Sequence, residues 1–145
     1  MTRRSRAREV ALQILYQDDQ NPRNNPAAAE AFVRRRLRSP ELVDYAQRLV
    51  AGVRLHRAEL DKLIEETAEN WSVTRMAVTD RNVLRLGAFE LLHTDTPGPV
   101  AIDEAIELAK RYGAGSSAQF VNGILDRLLI NSRGASTRSP GEREA

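Results

Sequence analysis

The chain has 145 residues, a mass of 16.2 kDa and 41% hydrophobic residues, the profile of one domain that buries roughly two thirds of its unfolded surface. It has no cysteine, which excludes a disulfide framework and a thiolate metal site, and no apolar run near membrane-spanning length. Net charge is only +2 at a pI near 9.4, and of 22 basic positions only Lys62 and Lys110 are lysine.

Arg3, Arg4, Arg6 and Arg8 precede the first acid, Glu9. A guanidinium fork pairs with phosphate oxygens bidentately, so this arm suits a nucleic acid, although a solvated end explains it equally well. The stretch is too polar for a signal peptide, and the chain is expected in the cytoplasm. Ser5 is a plausible cap for a first helix to about Asp18, with Val10, Ala11, Ile14 and Leu15 inward and Leu12 and Tyr16 at its margins. A loop with Pro22 and Pro26 follows. Asn25-Pro26 then opens a second helix that turns Phe32, Val33 and Leu37 inward and ends in Arg34, Arg35, Arg36 and Arg38, where positive charge suits the dipole.

Ser39-Pro40-Glu41 is the clearest helix start. Ala46, Leu49, Val53, Leu60, Leu63 and Thr67 keep one face for about 30 residues, with a bend or break expected near His56 and an end at Asn70-Trp71. His56 and His93 are far apart in sequence and read as satisfied or surface side chains rather than metal ligands. Thr79 or Asp80 caps a helix carrying Val83, Leu84, Gly87, Ala88, Leu91 and Leu92, with Arg81 and Arg85 on its outside.

Residues 99–130 form a helical hairpin. Pro99 opens its first helix, whose inner face is Ile102, Ala105, Ile106, Ala109 and Tyr112. Gly113 stops it by tolerating the left-handed conformation. Ser116 and Gln119 read as a capping box for the second helix, which carries Phe120, Val121, Ile124, Leu125 and Leu128. A mid-helix Gly123 costs about 1 kcal/mol relative to alanine and is read as room for another helix. Residues 131–145 contain few apolar side chains and are expected to be a disordered tail after a single domain over 1–130. No segment alternates like a strand, so the fold class is all-α.

Gly113-Ala-Gly115-Ser-Ser-Ala118 matches a dinucleotide fingerprint, but a helix rather than a strand runs into it, and that reading fails. The start at Ser116 and Ser117 still offers N–H groups to a phosphate, as any capped helix start does. No catalytic triad or phosphate-binding loop is present. Asp103 and Glu107 fall on a charged face, with Glu107 read as an i, i+4 partner of Arg111. No enzyme activity and no cofactor are expected. Tyr112 and Phe120 flank one polar loop, where rings could stack on unpaired bases or pack in the core.

Residues 4–17 (RSRAREVALQILYQ), 80–92 (DRNVLRLGAFELL), 100–113 (VAIDEAIELAKRYG) and 120–125 (FVNGIL) together resemble the NusB family of bacterial transcription antitermination factors. The resemblance runs from residue 3 to about 130. It implies an all-α fold of six to seven helices in two packed bundles, and a non-enzymatic adaptor. Family members pair with the ribosomal protein NusE, bind the single-stranded boxA element of nascent ribosomal RNA, and act with other Nus factors in the elongation complex. Carried over, Arg3, Arg4, Arg6, Arg8, Tyr112, Ser116, Ser117, Gln119 and Phe120 fall in RNA-contacting regions, and Tyr16 and Asp80 at partner-related positions. Many members have an acid where this chain has Ser116, which bears on base recognition there. Two alternatives share the resemblance: a module associated with ribosomal RNA methyltransferases, and a helical protein–protein adaptor that never touches RNA.

Overall fold

A computed structural model describes residues 3–23 and 25–137. They form α1 (Arg3–Gln20), α2 (Pro26–Arg36), α3 (Pro40–Thr67), a 3₁₀ turn (Val73–Arg75), α4 (Val78–His93), α5 (Gly98–Tyr112) and α6 (Ser117–Thr137), with no strand among the described residues. The fold is all-α. Helices α1, α2 and α3 pack as one group and α4, α5 and α6 as another, joined where α3 and α1 meet α4.

Helix α4 is the axis because its sequence is apolar on nearly every side, and such a helix has to sit inside. Every residue from Asn82 to Glu90 is buried. Leu84 and Leu86 meet one continuous core that includes Ile14, Leu49, Leu60, Ile64 and Leu125. At Gly87 an added Cβ would stand 2.7 Å from Leu125 Cδ1 and 3.2 Å from Ala105 Cβ, so the missing side chain lets α5 and α6 close onto α4.

Three polar residues in this buried run, Asn82, Arg85 and Glu90, each have partners. Glu90 accepts from Arg8 Nε at 2.7 Å and Nη2 at 2.9 Å, and from the Tyr45 hydroxyl at 2.8 Å. Burial disfavours charge on Arg8, but the hydrogen bonds and charge of Glu90 outweigh it and raise the Arg8 pKa. At the other end of α1, Asp19 accepts from Arg81 at 2.6 and 2.7 Å, from Asn82 at 2.9 Å and from Arg85 at 3.2 Å. Arg85 also donates to Asp61 at 2.7 Å.

Several sequence expectations are corrected. Helix α1 starts at Arg3, so Ser5 is no cap; its hydroxyl donates to Glu104. Arg81 and Arg85 face inward, drawn by the carboxylates of Asp19 and Asp61. Helix α3 runs unbroken through His56 and closes on Glu69 and Asn70, both in the left-handed region. Gly113 has φ −95°, and its reason is steric: a Cβ there would lie 2.5 Å from Ser117 Oγ. No heavy atom lies within 4 Å of a Cβ built on Gly123, so that glycine admits no neighbouring helix of this chain. Arg111 pairs across helices with Glu9, while Glu107 pairs with Lys110. Helix α6 continues to Thr137, beyond the boundary expected at residue 130; the rest of the expected tail, 138–145, lies outside the described residues, as do positions 1 and 2.

The Asp19 hub has a pH signature. Desolvation alone would raise its carboxyl pKa, but hydrogen bonds from Arg81 and Asn82 and the charges of Arg81 and Arg85 bring it from 3.8 to about 2. A depressed folded-state pKa contributes stability that is present above the unfolded value and lost as pH falls toward the folded one. Urea denaturation should therefore lose about 2 kcal/mol from this site between pH 5 and pH 2. In Asp19→Asn that component of the pH dependence should be absent, with lower stability at pH 7.

Candidate nucleic-acid interface

The first turn of α1 places Arg3, Arg4 and Arg6 at the surface. Arg3 and Arg4 line a cleft of about 980 Å³ with Tyr45, Arg48 and the segment 93–97. The Arg4 guanidinium sits 4.9 Å from the centre of the Tyr45 ring, a cation–π contact that holds the side chain without neutralising it. Arg8 is different. It is 3% exposed and engaged with Glu90, with Tyr45 at 3.0 Å and with Glu104 at 3.4 Å, so it cannot also grip a phosphate. The helix period turned it inward two residues after Arg6.

The α5–α6 loop makes a second surface. Ser116 and Gln119 are exposed, and with Phe120 they line a cleft of about 340 Å³ whose other wall includes Trp71, Arg75 and Asp80. Trp71, half exposed, meets the Phe120 ring edge-on at 5.4 Å and 62°. Asp80 Oδ1 is the one buried side-chain polar atom without a hydrogen-bond partner among the described residues. Ser117 does not join the surface. It is 1% exposed and its Oγ accepts the Ala114 N–H at 2.9 Å, so the serine that ties the loop is Ser117, and the expected Ser116–Gln119 box does not form. Asp80 is no cap either, since α4 begins without a side-chain cap bond.

Tyr112 lies apart from Phe120. It lines a groove of about 580 Å³ with Leu12, Tyr16, Phe32, Arg36 and Thr79. Tyr16 and Tyr112 are thus neighbours, while Asp80 joins Ser116, Gln119 and Phe120. Thr79 and Asp80, adjacent in the first turn of α4, face the two grooves on either side. Trp71 and Arg75 were not selected from sequence. A lone tryptophan at a helix end, followed by an exposed arginine four residues on, was the signal available.

The sequence model of the NusB family matches residues 5–129. The chain belongs to the NusB family. It is 50% identical over 133 residues to the transcription antitermination protein NusB of Anaeromyxobacter dehalogenans strain 2CP-1, covering 88% of this chain and 90% of that one. It is 45% identical over 135 residues to that of Myxococcus xanthus, covering 90% and 96%. Among solved structures, T. maritima NusB matches with a TM-score of 0.79 at 39% identity, over 89% of this chain and 92% of that one. A structure of antitermination factors NusB and NusE in complex with dsRNA matches with a TM-score of 0.79 at 29% identity, over 90% and 99%. The NusB fold thus accounts for the two groups of helices, and no described helix is long and apolar enough to cross a membrane.

The burial of Arg8 separates two roles that sequence alone merged. Arg8→Ala removes one partner of a buried pair and should lower folding stability by about 3–5 kcal/mol, measured by urea denaturation. Arg4→Ala, at an exposed helix end, should shift the same curve by less than about 0.5 kcal/mol.

Proposed function

We propose that this chain is a non-enzymatic transcription antitermination factor that binds single-stranded boxA RNA together with NusE. The observation that carries the reading is its likeness, over 90% of its length, to the NusB of a complex with NusE and dsRNA, combined with exposed arginines on α1 and, for an unpaired base, an aromatic cleft between the α3–α4 connection and α6. Arg3, Arg4 and Arg6 supply phosphate contacts. Phe120 and Trp71 supply ring faces for an unpaired base, with Ser116 and Gln119 at the rim. The Tyr16–Tyr112 groove, one residue away along α4, is the surface for NusE. On this arrangement RNA and protein meet at the same end of α4, and each completes the other's contact surface. Asp103 and Glu107 are exposed, and neither has the buried surroundings that acid–base chemistry requires.

Titration of labelled boxA RNA with and without NusE tests the proposal. The pair should bind more tightly than this chain alone, and a duplex of the same sequence should compete poorly. Replacing Arg3, Arg4 and Arg6 together by alanine should flatten the slope of log K against log salt by about 2, at roughly 0.7 per phosphate on a single strand. Trp71→Ala should cost roughly 1–3 kcal/mol of binding at an unchanged salt slope. Equal affinity with and without NusE would remove the cooperative model. NusE binding with no RNA binding would favour the protein–protein adaptor, and methyl transfer to ribosomal RNA from S-adenosylmethionine would restore the enzyme-linked alternative.

A further inference from the structure

We infer that His56, Glu59 and His93 form a binding site for one divalent transition-metal ion of the zinc class, clipping α3 to α4. The three residues come from two helices. His56 and Glu59 stand three apart on α3 and so share a face, and His93 is the last residue of α4.

Close packing one turn earlier brings them together. The Phe89 ring rests on Gly52, where a Cβ would lie 2.0 Å from its Cζ. The same Phe89 ring lies beside both imidazoles, 6.0 Å from His56 and 5.6 Å from His93, and so gathers them at one place between the helices. The two imidazoles stack with centroids 4.1 Å apart and planes 14° from parallel, and Phe89 stacks at 5.6 Å from His93. In the stack one nitrogen of each ring addresses the same carboxylate. His56 Nδ1 lies 3.3 Å from Glu59 Oε2, and His93 Nε2 lies 3.0 Å from Glu59 Oε1. The three sets of donor atoms lie within 4.8 Å of one another.

Each of those short contacts needs a proton on the histidine nitrogen, because a carboxylate only accepts. A divalent ion between the nitrogens and the carboxylate replaces both protons and binds all three donors. Donors around tetrahedral zinc at 2.0–2.1 Å stand roughly 3.3 Å apart, and an imidazole lone pair lies in its ring plane, so closing the site turns one of these partly exposed rings out of the stack to bring both nitrogens onto one ion. Two imidazoles, one carboxylate and a position open to water is a donor set that zinc accepts. Without thiolate it does not select Cu(I), and with two nitrogens it is poorly matched to Mg²⁺ or Ca²⁺. The site shares no residue with the Phe120 cleft, whereas His93 also lines the cleft of Arg3 and Arg4, so zinc binding is read without RNA present.

The test uses the full-length, untagged, metal-stripped chain. Calorimetric titration with ZnCl₂ near pH 7.5 should show one equivalent bound, with a rise in melting temperature, and Co²⁺ should give the visible absorption of a tetrahedral site. His56→Ala, His93→Ala and Glu59→Gln should each weaken zinc binding by at least the roughly 10–100-fold that loss of a mere supporting group costs. Glu59→Gln keeps its shape on a half-exposed side chain, so it reports on binding even if a histidine variant is unstable. No binding at micromolar zinc, binding of several equivalents, or an affinity unchanged in Glu59→Gln and His93→Ala would overturn the inference.

Discussion

Two charges buried together, Arg8 and Glu90, determine how the helices can be arranged. Neither could be left alone in the core, because an unpaired buried charge is far costlier than any packing defect. Their forked pairing in turn requires Tyr45 from α3 and, through Glu104, α5 and the Ser5 hydroxyl. Four helices must therefore arrive at once with their polar groups aligned. A core of leucine, valine and alanine alone would tolerate sliding of one helix against another. The fork does not, since a shift of one turn strands both charges. A buried ion pair is weak evidence for net stability, and its value here is geometric. Thr96, in the α4–α5 turn, adds a hydroxyl donor to Glu90 at 3.2 Å, so even the turn that follows α4 is held by the same carboxylate.

This explains which parts of the molecule were legible beforehand. Helices were, because Val10, Ile14, Leu49, Val53, Ile102 and Leu125 recur at the period of a helix and burial follows that period. The inward arginines were not. Arg8 looks locally like Arg4, Arg81 and Arg85 look like two surface arginines four apart, and what draws Arg8 inside is a carboxylate eighty-two residues away. Caps were misread for a related reason: Ser5, Ser116 and Asp80 are all plausible at a helix start, yet Ser5 is taken by Glu104, and Ser117 rather than Ser116 holds the loop. Gly113 was rightly seen as a stop for the wrong reason, since the constraint is the neighbouring Ser117 and not the sign of φ.

The candidate interface followed the same rule. Exposed arginines at the start of α1 and polar residues at the α5–α6 loop were visible as sequence features. Their companions were not, because Trp71 and Arg75 reach Phe120 only through the packing of the α3–α4 connection on α6. Tyr112 and Phe120, eight residues apart and flanking one loop, end on different grooves, because Phe120 packs on Trp71 while Tyr112 lies beside Leu12 and Tyr16 of α1. The two histidines meet for a comparable reason: a glycine and a phenylalanine one turn earlier set the distance between their helices.

Helix α1 is pinned to α4 at both ends, by Arg8 on Glu90 and by Asp19 on Arg81 and Arg85. The two helices therefore run antiparallel as a rigid strut. The exposed arginines stand at one end of it and the aromatic cleft beside the first turn of α4 at the other. From Arg3 to Asp19 the strut measures about 24 Å at helical rise. A stacked strand advancing about 3.4 Å per nucleotide needs about seven nucleotides to cover that length. If the arginines and the cleft hold one RNA, as proposed, the strut is a ruler: a strand that stays stacked touches both ends only when it is about this long.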